Sequence, residues 1–332
     1  MPEEKPTSIA DVAKSARVSV GTVSNALNHP ERVSNATLRR VRAAIDELGW
    51  TPSGRARKAP GRLETIGIAL VDASASRAAL LQGVQERIRQ TGVEALTVFT
   101  DGDHERLLGA VNAFERLGMH SIILESGEGT DPLAESLSSR GITVVIAGSS
   151  ASKRLSSASA DDEIACRLAV EHLLAGGRRR IALAYDGREA SRSALRRAAA
   201  RAAVTDAGLD PDLVLIELPL TSGGAAGGRA GSEFLLDRRV QFDALVMPDD
   251  SSAIGARQSL DAHGLAVPHD VAIVGCGDSA ESAALGISTV RLPLQAVGYH
   301  CAEMLLTQRR DPRSARVNQL LPVELIVRDS SR

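Results

Sequence analysis

Aromatic rings are scarce in this chain: four Phe, two Tyr and one Trp among 332 residues. A pocket that holds its ligand by stacking needs rings, so their scarcity weighs against that mode of recognition. Cysteine is scarce too. Cys166, Cys276 and Cys301 are odd in number and far apart, which excludes a disulfide framework and a zinc-ligand spacing. Reduced, buried thiols and no metal site are expected. No apolar run reaches about 18 residues, so no membrane span is expected. The start "MPEEKPTSIAD" has neither the basic opening nor the apolar core of a secretory signal, which points to a cytoplasmic protein.

Catalytic signatures are missing as well. Seven histidines include no HExxH, and no serine sits in G-x-S-x-G. "VAIVGCGDSA" imitates the dinucleotide fingerprint after a strand, but Gln295 stands about where a ribose-binding acid is needed. "GGAAGGRA" resembles a phosphate loop, yet Arg229-Ala230 replace the required Lys-Ser/Thr. No cofactor and no enzymatic activity are expected.

What is present is a basic head on an acidic body. The length suffices for two or three domains, and 43% hydrophobic with 24% charged residues is a globular composition. Net charge is −2, but residues 1–62 carry eleven Lys/Arg against six Asp/Glu, and the rest 28 against 35. The stretch 51–62, "TPSGRARKAPGR", gathers Arg55, Arg57, Lys58 and Arg62 without an acid. Such a distribution suits a head that meets a polyanion.

The head reads as three short helices. Ser8 followed by Asp11 is a variant capping box, so a helix is expected from Ile9, with Ile9, Val12, Ala13 and Ala16 on one face. Ser19 caps a second, with Val23, Ala26 and Leu27 expected inward. Ser34 caps a third, where Leu38, Val41, Ile45 and Leu48 recur at helical spacing. Gly49 stops it, Trp50 is expected to cover the small core, and Thr51-Pro52 opens a linker. Two helices joined by the tight turn Ala16-Arg17-Val18 match a helix-turn-helix, whose second helix enters the major groove by its N-terminal residues. Here these are Val20, Gly21, Thr22 and Asn25. Ser19 and Thr22 can donate to phosphates, Asn25 can pair with an adenine edge, and Val20 can touch a thymine methyl. A three-helix unit used for protein contacts fits the same pattern.

From Thr65 the rhythm changes. The runs "TIGIALV", "EALTVF", "SIILES", "TVVIAG", "RIALAY", "LVLIEL", "ALVMP" and "VAIVG" are mostly followed by helix-length segments. Alternation of this kind argues for parallel sheets built by βαβ crossovers. Eight strands divide into two sets of four, with a break near Ser156 to Asp161. The expected fold is α/β: an all-α head, then a two-lobed body of doubly wound parallel sheets, with a ligand cleft at the strands' carboxyl ends.

"DVAKSARVSVGTVSNALN" closely resembles the head of the lactose/galactose repressor (LacI/GalR) family, and "VSNATLRRVRAAIDELGWTPS" continues the likeness. "SADDEIACRLAVEHLLAGGRRRIAL", "ALVMPDDSSAIGARQSLDAHGLAVPHDVAIVGCGD", "ISTVRLP" and "LLPVELIVRDSS" extend it in family order over nearly the whole chain. The resemblance implies a transcriptional regulator, usually a repressor, that binds a pseudo-palindromic operator in double-stranded DNA as a homodimer. It also implies a periplasmic-binding-protein-like body that takes a small-molecule effector between its lobes. The domains would be a head at 1–50, a hinge at 51–64 and a body at 65–332. Lobe 1 would hold about 65–157 and 293–321, and lobe 2 about 158–292 and 322–332. Tetrameric relatives add a C-terminal helix; this chain ends soon after "LIVRDSSR", so a dimer is expected.

In the family the hinge becomes a short helix on specific DNA and wedges into the minor groove. By position that is Ser53 to Ala59, ended by Pro60-Gly61. The family usually wedges a leucine where Ala59 stands, so hinge binding is expected to be weaker by roughly one to a few kcal/mol. Arg17 replaces the usual turn glycine and can add a phosphate contact. Asn25 replaces a common arginine, which shifts preference from guanine toward adenine. The candidate DNA contacts are thus Ser8, Arg17, Ser19, Val20, Gly21, Thr22, Asn25 and Ser34, with Arg55, Ala56, Arg57 and Ala59 in the hinge.

The family's effector positions map to Asp72, Arg196, Asp249, Asp250 and Asp278. Departures are concentrated here. "ASASRAALL" and "TSGGAAGG" lack the expected rings, and Gly148 and Gly277 replace ligand-binding acids or amides. A small non-aromatic polar or anionic metabolite is expected, or a degenerate pocket with no ligand. A solute-binding protein would share the body, but it would need export and no basic head.

Overall fold

The computed structural model describes residues 8–28, 32–48, 64–187 and 190–332. Contacts separate two compact units, Met1–Glu64 and Thr65–Arg332. The first holds α1 (Ile9–Ser15), α2 (Val20–Asn28) and α3 (Asn35–Leu48). All three begin alike: a serine oxygen accepts the backbone N–H three residues on. Asp11 N donates to Ser8 Oγ at 3.4 Å, Thr22 N to Ser19 Oγ at 3.1 Å and Thr37 N to Ser34 Oγ at 3.3 Å. At Ser8 the capping box closes, with Asp11 Oδ2 accepting from Ser8 N at 2.8 Å. Val12, Ala13, Ala16, Val23, Ala26, Val41 and Ala44 form the core.

Leu27, expected inward, is 37% exposed. The buried stripe of α2 is Val23 and Ala26, and Leu27 lies about 100° further round, beyond the edge of a core made of small side chains. Gly49, Trp50 and the linker and hinge residues 51–63 lie outside the described residues.

Lobe 1 of the second unit runs through β1 (Glu64–Leu70), α4 (Ala75–Ile88), β2 (Val93–Phe99), α5 (His104–Arg116), β3 (Ser121–Glu125), α6 (Thr130–Ser139), β4 (Thr143–Ala147) and β5 (Ser156–Ala160). Lobe 2 follows with α7 (Asp162–Ala175), β6 (Ile181–Asp186), α8 (Ala190–Asp206), α9 (Pro211–Val214), β7 (Leu215–Leu220) and α10 (Gly224–Asp237). It continues through β8 (Ala244–Val246), α11 (Asp250–Ala262), β9 (Ala272–Cys276), α12 (Ala280–Ala284) and β10 (Ser288–Arg291). The chain returns to lobe 1 as α13 (Leu294–Arg310) and β11 (Asn318–Leu321), then closes on lobe 2 with β12 (Glu324–Ile326) and a 3-10 turn, Asp329–Ser331. The sheets order as β11-β5-β4-β3-β1-β2 and β12-β10-β9-β8-β6-β7. Both are doubly wound, and β12 pairs antiparallel with β10.

Eight strands are expected from the sequence and twelve are present among the described residues. The missed β5, "SSASA", has no large apolar side chain, yet all five residues are buried. Its hydroxyls find partners inside: Gln308 Nε2 and Val317 N donate to Ser156 Oγ at 2.6 and 3.0 Å, and Ser157 Oγ donates to Asn318 Oδ1 at 3.2 Å. Satisfied hydroxyls are tolerated where orphaned ones are costly. The expected break at 156–161 is therefore a lobe 1 strand, and the crossover follows Ala160. The strands β10, β11 and β12 escape notice because they are three or four residues long and, unlike the wholly apolar β8, mix in polar or charged residues.

Glycines set the helix packing in both lobes. A Cβ on Gly83 of α4 would fall 1.8 Å from Gln295 O on α13, and one on Gly298 of α13 would fall 1.9 Å from Leu80 O on α4. Helices α10 and α11 repeat the arrangement, Gly228 against Ser252 O and Gly255 against Ala225 O, each at 1.9 Å. The glycine-rich "GGAAGG" is thus a packing face of α10.

Candidate nucleic-acid interface and effector cleft

The caps that start the helices also decide which side of α2 is available. Its inner face is spent on Val23 and Ala26; Val20 (45% exposed), Gly21 and Asn25 point to solvent, and Thr22 is half-buried. Ser19 and Thr22 hydroxyls meet at 2.9 Å, and that bond uses one of their two protons. The other remains for a phosphate oxygen. Ser34 and Thr37 repeat the arrangement at 2.9 Å. Ser8 Oγ donates to Asp11 Oδ2 at 2.6 Å, so its hydroxyl proton is already engaged. Arg17 is exposed, in the turn, with φ +52°. That left-handed conformation explains why glycine suits the position. Arg55, Ala56, Arg57 and Ala59 lie outside the described residues.

In each sheet the strand order reverses once, between β1 and β3 in lobe 1 and between β6 and β8 in lobe 2. Crevices at such switch points are where doubly wound sheets take ligands. At the first, Glu125 ends β3 and its Oε2 accepts from Val71 N at 2.7 Å. Arg77, from the first turn of α4, holds Glu125 Oε1 through Nε at 2.9 Å and Nη2 at 2.8 Å. Its Nη1 lies 3.7 Å from Asp72 Oδ2. Asp72 is the open member, 45% exposed against 20% for Arg77.

At the second switch point Arg196 reaches from α8. Its Nη2 donates to Asp162 Oδ1 at 2.8 Å and its Nη1 to Pro248 O at 3.3 Å, with the pair almost buried. Asp249 caps α11, accepting from Ser252 N at 2.8 Å and Ser252 Oγ at 2.9 Å. Asp250 is buried and braces three segments, accepting from Thr289 Oγ1 and Ser279 N at 2.6 Å and Ser282 Oγ at 2.9 Å. Asp278 sits in a fork of Arg291, whose Nε donates at 2.7 Å, and Arg328. Burial alone would raise the Asp278 carboxyl, but the hydrogen bonds from the two arginines outweigh it and hold the group below its usual range.

The two lobes meet here: Ser76 Oγ on α4 is 3.8 Å from where a Cβ on Gly277 would stand. Gly148 and Gly277 both have positive φ, +116° and +133°. A Cβ on Gly148 would fall 2.0 Å from Ser126 Oγ, so a side chain cannot simply be restored there. Arg77, Glu125 and Asp162 escape sequence reasoning. Glu125 did carry a signal, a carboxylate closing an apolar run at what becomes the switch point. Asp162 looks like a helix-start residue, and nothing in the sequence says that Arg77 turns back onto β3.

Among the described residues no group of three or more His, Cys, Asp and Glu could hold a metal, and no helix is long and apolar enough to cross a membrane. A helix-turn-helix in one chain with a periplasmic-binding-protein-like body defines a DNA-binding transcriptional regulator, not an enzyme. Residues 8–53 match the bacterial regulatory proteins, lacI family, and residues 170–331 match a periplasmic binding protein-like domain. The HTH-type transcriptional regulator CelR of Thermobifida fusca is 30% identical over 96% of both chains. The solved CelR–cellobiose complex is similar with a TM-score of 0.70 and 28% identity, over 98% of this chain and 100% of that one. The lac repressor dimer bound to operator and the anti-inducer ONPF gives 0.72 and 26%, over 98% and 99%. The chain belongs to the LacI family.

Proposed function

We propose that this regulator is a repressor that binds a pseudo-palindromic operator as a homodimer, one head in each half-site, under the control of a small ligand in the interlobe cleft. The observation that carries it is the division of α2, with Val23 and Ala26 buried and Val20, Gly21 and Asn25 outward. Only a helix with a free N-terminal face can lie in a major groove. The relative solved as a dimer on operator supports the stoichiometry.

The ligand is a neutral polar metabolite. Arg77 and Arg196, at the two switch points, each already hold a carboxylate, and Arg291 and Arg328 share Asp278. An anion would have to displace those carboxylates, whereas hydroxyls can add to the remaining lone pairs. CelR, solved with cellobiose, supports a hydroxyl-rich ligand, although this chain is poor in the rings that stack on sugars. The second reading, a cleft with no ligand, draws on the same internal pairing.

Gel shift against genomic fragments tests the DNA reading. The full chain should select fragments over bulk competitor, and deletion of residues 1–62 should abolish the shift. Asn25→Ala should relax preference at one base pair per half-site, at a cost of about 1–3 kcal/mol. No selection by the full chain, with or without cell extract, refutes the reading. Calorimetry with neutral polyols and organic acids separates the ligand readings; micromolar binding of an organic anion alone would overturn the neutral assignment.

A further inference from the structure

Two of the three thiols line one small cavity in lobe 2. Cys166 on α7 and Cys276 at the end of β9 share it with Arg196, Leu183 and Val246, and its volume is about 20 Å³. That is room for one water-sized group. Both sulfurs also contact the same residue. Cys166 Sγ donates to Arg196 O at 3.2 Å, and Arg196 Nη2 approaches Cys276 Sγ at 4.0 Å.

The two thiols differ in kind. Burial pushes the Cys166 thiol up to about 12, with Arg196 pulling the other way and negative charge on Cys276 and Asp162 adding to the rise. Such a thiol stays protonated near neutral pH and does not start a reaction. Cys276 is half-buried at the carboxyl end of its strand, and it lines the cavity with its Sγ 4.0 Å from the Arg196 guanidinium, a cationic neighbour that favours a thiolate. Cys301 is in the other lobe, buried in α13 and pushed up to about 12 by burial, with its Sγ 3.6 Å from Ile146 O.

We propose that Cys276 and Cys166 form a hydroperoxide-responsive pair, in which Cys276 is oxidised first and Cys166 resolves it to a disulfide. The Cys276 thiolate attacks a peroxide oxygen; the S–O bond forms, the O–O bond breaks, and the leaving oxygen takes a proton as water or alcohol. The 20 Å³ cavity accepts the single added oxygen of the sulfenic acid. Cys166 sulfur then attacks the Cys276 sulfur, the S–S bond forms, and the S–O bond breaks as water leaves with the Cys166 proton. Two thiols supply the two electrons that reduce one peroxide. Closure removes the Cys166 bond to Arg196 O, which connects the oxidant to the residue at the lobe 2 switch point.

The full-length protein is treated with hydrogen peroxide, alkylated and digested without reductant for mass spectrometry. The expected product is a linked pair of peptides carrying Cys166 and Cys276, two hydrogens lighter than the separate thiols, within one chain and reversed by dithiothreitol, with Cys301 alkylated as a free thiol. Cys166→Ser should leave Cys276 as a sulfenic acid, with dimedone labelling at least several-fold above wild type. Cys276→Ser should leave Cys166 reduced. Equal oxidation of Cys276 and Cys301, a link that forms only between chains, or dimedone labelling unchanged by Cys166→Ser would each overturn the proposal.

Discussion

Arg17 sets a cost in folding against a proposed gain in binding. Its φ of +52° costs an L side chain about 1–2 kcal/mol relative to glycine, while a glycine adds about 0.5–1 kcal/mol of unfolded-chain entropy. Arg17→Gly should therefore leave the head as stable or up to about 1.5 kcal/mol more stable. The same change should weaken binding to every duplex alike and lower the slope of log K against log salt by about one unit, if the guanidinium meets a phosphate. Thermal melts and a salt series check the two halves separately; an unchanged slope removes Arg17 from the interface. At this scale the sequence was readable for Ser8, Ser19 and Ser34, because a cap needs only its own turn. It was opaque for Asp250 and Asp278, whose partners Thr289 and Arg328 come from distant segments.

The helices pair through glycines where the sequence suggests loops or nucleotide sites. Gly83 and Gly298 leave their partner carbonyls no space for a methyl, as do Gly228 and Gly255. Each Gly→Ala should destabilise the body by about 1–3 kcal/mol through overpacking, against the small gain alanine brings to a helix. Gly109 of α5, with nothing within 4 Å of its would-be Cβ, is the control: Gly109→Ala should be neutral or slightly stabilising. Denaturant midpoints compare the set, and equal effects at Gly83 and Gly109 would contradict the packing account. Strand identity followed a similar divide. The hydrophobic β3 and β4 announce themselves, while β5 depends on Gln308 and Asn318, about 150 residues away.

Across the whole body, Asp278 ties β9, β10 and the C-terminal segment together through Arg291 and Arg328. Its carboxyl is held below the unfolded value of about 3.9, so the native state favours the charged form. The resulting stability is present above that value and is lost as pH falls through the lower, folded one. Asp278→Asn should lower Tm at neutral pH, and the gap from wild type should narrow only below about pH 4. A gap constant from pH 7 to pH 3 would show that charge is not what the clasp uses. By itself the sequence determined the head, the alternation of strands and helices and the lobed architecture, because caps and periodicity act within a few residues. Only the tertiary structure decided that Arg77 meets Glu125, that Arg196 meets Asp162 and that two distant thiols share one cavity. Charge pairing and cavity shape depend on how separate segments approach, which no local pattern encodes.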